Sequence, residues 1–332
     1  MSRTDQLQPL ILLGSIALGL GLAALSPSVA LAIGPVVSVG VFALIFLAML
    51  GLDLDRVTGA FAQRRFLLVA IFVNFVVNPL VAWGLAEHFL KDDPALHVGL
   101  ILFLVTPCIG WYLLFTEMAG GDVGLGVSLL GMNLVLQVLL LPVYLLWFTD
   151  SAASVGLGGI GKSVGLFLVL PGVCAAATRL AALRGHADLE RIQHAVERSH
   201  LKTFTLILII VAMFASQADV LRSNPGVVLR LLPPMLIFFA AAFAVALLAG
   251  ALSGFQYEQT VSLVFTATSR NSEASLAIAA TAFASPLVAL TVVIGPVIEL
   301  PLLVLMARAL LGRRRNAVRP ERTHLVAVPG EN

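Results

Sequence analysis

The sequence predicts an all-α polytopic membrane protein with ten transmembrane helices in two inverted five-helix repeats. Three observations carry that expectation. Apolar residues fill 59% of the 332 positions and charged residues only 11%, against roughly 25% charged in a soluble domain. Apolar runs of about twenty residues, enough for a helix to cross the hydrocarbon core, recur along nearly the whole chain. The basic residues between the runs are unevenly shared between the two faces such runs would create. The mean hydropathy of +1.01 agrees, since no soluble fold could hide that much apolar surface.

The first five runs lie near residues 8–25, 29–50, 66–90, 95–119 and 123–148. The second five lie near 163–183, 201–216, 227–252, 259–284 and 287–311. The opening run follows Arg3 and looks like a secretory leader, but further runs follow at once and no small-residue cleavage pattern closes it, so it reads as span one. The 201–216 run is short and needs extension or tilt to reach across.

With the N-terminus inside, one face collects Arg56, Arg64, Arg65, the cluster from Arg179 to Lys202 and the arginines from Arg308 to Arg322. The other holds Lys91, Lys162, Arg222 and Arg230. Both termini are therefore expected in the cytoplasm, with the chain in the plasma (inner) membrane.

Five runs per half make the second half enter from the opposite side, the plan of an inverted repeat. Residues 1–150 are expected to form the first repeat, 151–312 the second and 313–332 a basic, flexible tail. The Gly-, Ser- and Ala-rich stretch from Thr149 to Lys162 is the expected join. The segment from Arg184 to His200 spaces apolar residues helically in a charged background, as an interfacial helix does, and its histidines read as a solvated face. Asp53, Asp55, Glu117 and Asp122 fall near helix ends, where water satisfies them.

Polar groups inside hydrocarbon are costly and tend to mark functional positions. Span four carries Thr106, Pro107 and Cys108 near its middle, and span nine carries Ser269, Arg270, Asn271, Ser272 and Glu273 at a matching place. Asn133 and Gln137 lie in span five, Glu299 lies between Pro296 and Pro301 in span ten, and span three adds Asn74 and Asn78. Pro107 lacks a backbone donor and disfavours helix at Thr106. Span four is expected to break there and restart with Thr106 as N-cap and Pro107 in the first turn.

Ser269, Asn271 and Ser272 offer side-chain groups to backbone left unpaired by a matching break in span nine. Irregular backbone at this depth persists only inside protein or beside a wet cavity, so two such breaks predict a solute site halfway through the membrane. A guanidinium there needs a carboxylate, and Glu299 and Glu273 are the candidates to pair with Arg270. Glu299, if buried among apolar neighbours, is placed to take up and release a proton; a sodium ligand and a neutral hydrogen-bonding group are the alternatives.

Other classes find little support. A net charge of +2 with no basic stripe argues against a nucleic-acid partner. No P-loop is present, and Gly19-x-Gly21 lies within a span with no strand before it. Neither a metal-binding histidine pair nor a Ser/His dyad occurs within the spans, so neither an enzyme, a resident metal nor a cofactor is expected. Cys108 and Cys174 both sit in apolar runs, which indicates no disulfide framework, and Cys174 reads as a packing residue.

The segment Thr106-Pro107-Cys108, the turn Ala119-Gly120-Gly121-Asp122, Asn133 with Gln137, the stretch from Phe265 to Ala277 and Gly295-Pro296-Val297-Ile298-Glu299 resemble the bile acid/sodium symporter superfamily. They are most similar to its arsenite permease branch. The resemblance covers essentially all ten spans, and it rests chiefly on Pro107-Cys108 with Gly295-Pro296-x-x-Glu299. It implies a core domain holding crossed, broken fourth and ninth helices that moves against a panel domain. It also implies efflux of arsenite, with Cys108 and Glu299 as the functional pair and Cys108 as a ligand for trivalent arsenic.

Soft trivalent arsenic seeks thiolates, and a thiol in the first turn of a half-helix is favoured as thiolate. The chain departs from the branch at Arg270-Asn271, where paired asparagines are usual. Arg270 is expected to take the place of a coupling sodium ion, favouring proton coupling or uniport over sodium symport. The competing reading is transport of a small organic anion by the same fold, with Arg270 binding its carboxylate or sulfonate.

Overall fold

The computed structural model describes residues 3–50, 63–108, 111–149, 162, 165–183 and 201–323. Every regular element among them is helical. In the first half these are α1 (Arg3–Leu25), α2 (Pro27–Ala32), α3 (Gly34–Leu50), α4 (Arg64–Leu90), α5 (Pro94–Leu104), α6 (Trp111–Met118) and α7 (Val123–Phe148). In the second they are α8 (Leu170–Leu183, preceded by a π-turn at Gly165–Val169), α9 (Leu201–Ser223), α10 (Pro225–Leu252), α11 (Tyr257–Thr268), α12 (Ser272–Ala282) and α13 (Pro286–Thr323).

Among the described residues four helices, Arg64–Leu90, Val123–Phe148, Pro225–Leu252 and Pro286–Arg314, are long and apolar enough to cross a bilayer. Their outer faces present Leu139, Trp147, Leu229 and Leu252 to the surroundings, an arrangement that lipid favours and water does not. The chain is a multi-pass α-helical membrane protein.

The helix ends follow local chemistry. Asp93 caps α5 by accepting from the Leu96 N–H at 3.3 Å, and Asp122 caps α7 by accepting from the Leu125 N–H at 3.1 Å. Gln256 and Gln259 form a reciprocal capping box at the start of α11. Asp122 is thus half-buried and engaged rather than solvated, whereas Glu117 is exposed as expected. Asp53, Asp55, the 184–200 segment and most of the 149–162 join lie outside the described residues.

Two findings concern length, the first as expected and the second a departure. The short seventh run is extended by α9 to Ser223, which gives it 23 residues. α13 continues as helix through Thr323, so the flexible tail expected after Gly312 begins as an extension of the last span. Arginine and alanine are good helix formers, and basic residues suit the negative C-terminal end of a helix dipole.

Packing sorts the helices into two groups. α3 packs against α8 and α9, and α1 against α9; α4, α5, α10, α11, α12 and α13 pack on one another, with α6 and α7 beside α11. α4 contains a π-turn at Val73–Val77, and Asn74 and Asn78, one turn apart on the same face, are both buried. Such π-turns recur at functional positions.

Candidate functional site

The broken runs meet each other. α5 stops at Leu104 and α11 at Thr268, and the irregular residues that follow pair as a two-rung antiparallel bridge centred on Pro107 and Arg270. The Cys108 N–H donates to the Ser269 carbonyl at 3.0 Å, and the Asn271 N–H donates to the Thr106 carbonyl at 2.9 Å. Pro107, which has no N–H, sits between the rungs where no donor is required. Each break thereby satisfies backbone groups that the other leaves open, which is what irregular chain in a low-dielectric interior demands.

The restart differs from the sequence expectation. Thr106 is not the N-cap of the second half-helix; its hydroxyl turns back on the carbonyls of Phe103 at 2.9 Å and Leu102 at 3.1 Å, closing the end of α5. It also shares a 2.6 Å hydrogen bond with the Ser275 hydroxyl, which itself donates to the Leu102 carbonyl at 3.2 Å. This ties the end of α5 to α12. In span nine Asn271 is the N-cap, its Oδ1 accepting from the Ala274 N–H at 3.1 Å, and Ser272 opens α12.

Arg270 is among the largest fully buried side chains, at 1% exposure. Its Nη1 donates to the Leu104 carbonyl at 2.8 Å and its Nη2 to the Ala267 carbonyl. These carbonyls belong to the last turns of α5 and α11, so one guanidinium neutralises the negative ends of both half-helices. Its plane lies over the Phe238 ring, 5.3 Å from the centroid. The backbone N–H of Arg270 donates to Glu299 Oε1 at 2.8 Å.

Glu299, at 4% exposure, is buried as expected. Its surroundings are not apolar: it faces Arg270 and the broken backbone. Cys108, at 1% exposure, forms no disulfide. Among the described side chains the carboxylate beside Arg270 is Glu299; the Glu273 side chain lies outside the described residues. Cys174 is half-buried on α8, away from the breaks.

Around this crossing lies a ring of buried amides and hydroxyls. Asn74 Nδ2 and Asn133 Nδ2 each donate to Thr266 Oγ1 at 3.2 Å, and Asn78 Nδ2 donates to the Ala267 carbonyl at 2.9 Å. Among the described residues, several polar atoms here have no protein partner: Asn74 Oδ1, Asn133 Oδ1, both Gln137 amide atoms, Ser269 Oγ and Asn271 Nδ2. Leaving buried polar atoms unpaired costs about 1–3 kcal/mol each, and such atoms gather where a site is built for something else to bind. Ser275, Phe238 and Tyr112 were not marked out by sequence reasoning, because Ser, Phe and Tyr are ordinary within a span.

Residues 38–224 match the model of the sodium bile acid symporter family. The chain belongs to that family. It is 29% identical over 289 residues to the arsenical-resistance protein Acr3 of Corynebacterium glutamicum, covering 83% of this chain and 78% of that protein. It is 28% identical over 259 residues to the uncharacterized protein YbaS of Bacillus subtilis, covering 77% of this chain and 82% of that one. Membership of the symporter family supports a secondary transporter. Among the described residues no group of three or more His, Cys, Asp or Glu side chains is placed to hold a metal ion.

Proposed function

We propose that this symporter-family protein exports arsenite, or a similar small oxyacid, by alternating access. The observation that carries the reading is the buried crossing of the two breaks, with Cys108 on one strand of the bridge and a set of unpartnered amides and hydroxyls beside it. Arsenite is a small neutral hydroxy acid at working pH. Its hydroxyls suit Gln137, Asn133, Asn271 and Ser269, and its soft arsenic suits the Cys108 sulfur. Exchange of one As–OH for the thiol forms an As–S bond and releases water, and a single thiol lets the reverse reaction free the solute. The similarity to an arsenical-resistance protein supports the same substrate.

The two packing groups are the moving parts in this reading. α1–α3, α8 and α9 form the panel, and α4–α7 with α10–α13 form the core that carries the crossing. An inverted repeat is supported by chain spacing: Asp93 and Gln256, which cap α5 and α11, stand 163 positions apart, as do Asp122 and Ser285 before α7 and α13, and Cys108 and Asn271 across the bridge. That spacing is compatible with repeats over residues 1–150 and 151–312 followed by a cytoplasmic extension. The share of arginines on one face supports cytoplasmic termini in a plasma membrane.

Coupling follows from Arg270. The two half-helix C-termini attract a cation, and the guanidinium already occupies that place. Export is therefore proton-coupled or uncoupled, without a sodium ion at the crossing, and Glu299 is the group that carries the proton. The organic-anion alternative is less well supported, because both Nη atoms of Arg270 are engaged by protein carbonyls.

Expression in cells stripped of their own arsenite efflux tests the reading. Growth in arsenite should be restored by the wild-type chain and not by Cys108→Ser. Equal sensitivity with and without the wild-type chain, at confirmed membrane expression, would overturn the substrate.

A further inference from the structure

A second site lies at the ends of the helices rather than at the crossing. A cavity of about 340 Å³ opens between the start of α4 and the turn that joins α10 to α11, within the roughly 300–1,000 Å³ range of small-molecule sites. Arg64, Arg65, Gln63 and Gln259 supply its polar wall, and Phe66 and Phe255, with ring centroids 5.6 Å apart, its apolar one. Gln259 Nε2 donates to Gln63 Oε1 at 2.9 Å, bridging the two sides. Gly254, at φ +64°, turns the chain beside it, a conformation that costs side chains other than glycine about 1–2 kcal/mol.

Two features set this cavity apart from a solvated basic end. Among the described residues, neither the Arg64 nor the Arg65 guanidinium has an ion-pair or hydrogen-bond partner, whereas Arg314 on the same end is paired with Glu258 at 2.8 Å. Below the cavity, Leu68, Phe72 and Val76 follow Arg64 at four-residue spacing and are exposed along α4, while Leu248 and Leu252 are exposed on α10, which packs against α4. Charge at the mouth and two apolar tracks leading from it match a molecule with an anionic head and two hydrocarbon tails.

We propose that this cavity binds the headgroup of an anionic glycerophospholipid. The phosphate is held by Arg64 and Arg65, whose planar forks suit phosphate oxygens. Its glycerol and first methylenes lie against Phe66 and Phe255, and its chains run along the exposed apolar side chains of α4 and α10. Basic pockets between membrane helices are a recurring place for such headgroups. The site links the span that carries Asn74 and Asn78 to the start of α11, so its occupant braces two helices that meet again at the crossing.

The test uses the full-length chain purified in detergent. Phospholipid retained after extensive delipidation is read by native mass spectrometry, and the melting temperature is followed on adding phosphatidylglycerol, phosphatidylcholine or inorganic phosphate. Phosphatidylglycerol should be retained and should raise the melting temperature, with phosphatidylcholine and inorganic phosphate far weaker. Arg64→Gln/Arg65→Gln should bind phosphatidylglycerol about 30-fold more weakly, while Arg222→Gln at the end of α9 should bind as wild type does. Should the double variant elute as an aggregate, Phe255→Ala and Gln259→Ala provide the same comparison on the facing wall. Undiminished phosphatidylglycerol binding in soluble Arg64→Gln/Arg65→Gln, or equal stabilisation by phosphatidylcholine or inorganic phosphate, would overturn the proposal.

Discussion

The backbone N–H of Arg270 donates to Glu299 Oε1 at 2.8 Å, so the carboxylate of the last span is fastened to the break of the ninth rather than only to a distant charge. Any movement of Glu299, or any change in its charge, is transmitted to the strand that pairs with Cys108 and Thr106.

Replacing Glu299 therefore has two separable effects. Glu299→Gln keeps an acceptor oxygen for the Arg270 N–H but removes the charge beside the guanidinium; the protein should remain folded and lose export. Glu299→Ala leaves Arg270 buried without its carboxylate and should cost about 3–5 kcal/mol as well. Melting in detergent beside vesicle flux distinguishes the two, and equal melting of both variants would contradict this account.

Arg270 should make transport indifferent to sodium. Wild-type flux into vesicles is expected to be flat across imposed sodium gradients. Arg270→Lys should lose flux, because one ammonium cannot hold both the Leu104 and Ala267 carbonyls as the guanidinium fork does. Strict sodium dependence of the wild type would remove the guanidinium from its proposed role.

Gln137 provides the converse case. Among the described residues neither of its amide atoms has a partner although the residue is 1% exposed, so Gln137→Leu should be neutral or slightly stabilising while flux falls at least tenfold. A variant that unfolds would show instead that Gln137 supports the fold.

Thr106→Val tests the seam between α5 and α12. It removes the 2.6 Å bond to Ser275 and the closure of the Leu102 and Phe103 carbonyls, at a cost of about 1–2 kcal/mol in stability. Thr106→Ser, which keeps the hydroxyl, should melt close to wild type.

The sequence made the position of the break at Pro107 legible, since a proline in an apolar run withdraws a donor and the residue before it resists helix. The geometry of the break was not legible. Thr106 looks like an N-cap by residue type, yet its hydroxyl found the carbonyls three and four residues earlier; the Cys108 N–H downstream is answered by the Ser269 carbonyl across the bridge, and the Asn271 N–H of the other break by the Thr106 carbonyl. Backbone partners leave no mark in residue identity. The same holds for Arg270: a buried guanidinium suggested a carboxylate for its fork, whereas the fork holds two helix-end carbonyls and the carboxylate takes the backbone N–H. Asn74 and Asn78 stood out as amides one turn apart in an apolar helix, and that spacing already places them on one face; the π-turn between them left no mark in the local spacing.

The most direct measurement is arsenite flux through purified protein in proteoliposomes, comparing wild type with Cys108→Ser. With matched incorporation and melting temperature, the wild type should transport arsenite and Cys108→Ser should fall to the rate of protein-free vesicles. Wild-type flux from Cys108→Ser would contradict a thiol at the crossing as the group that takes the solute.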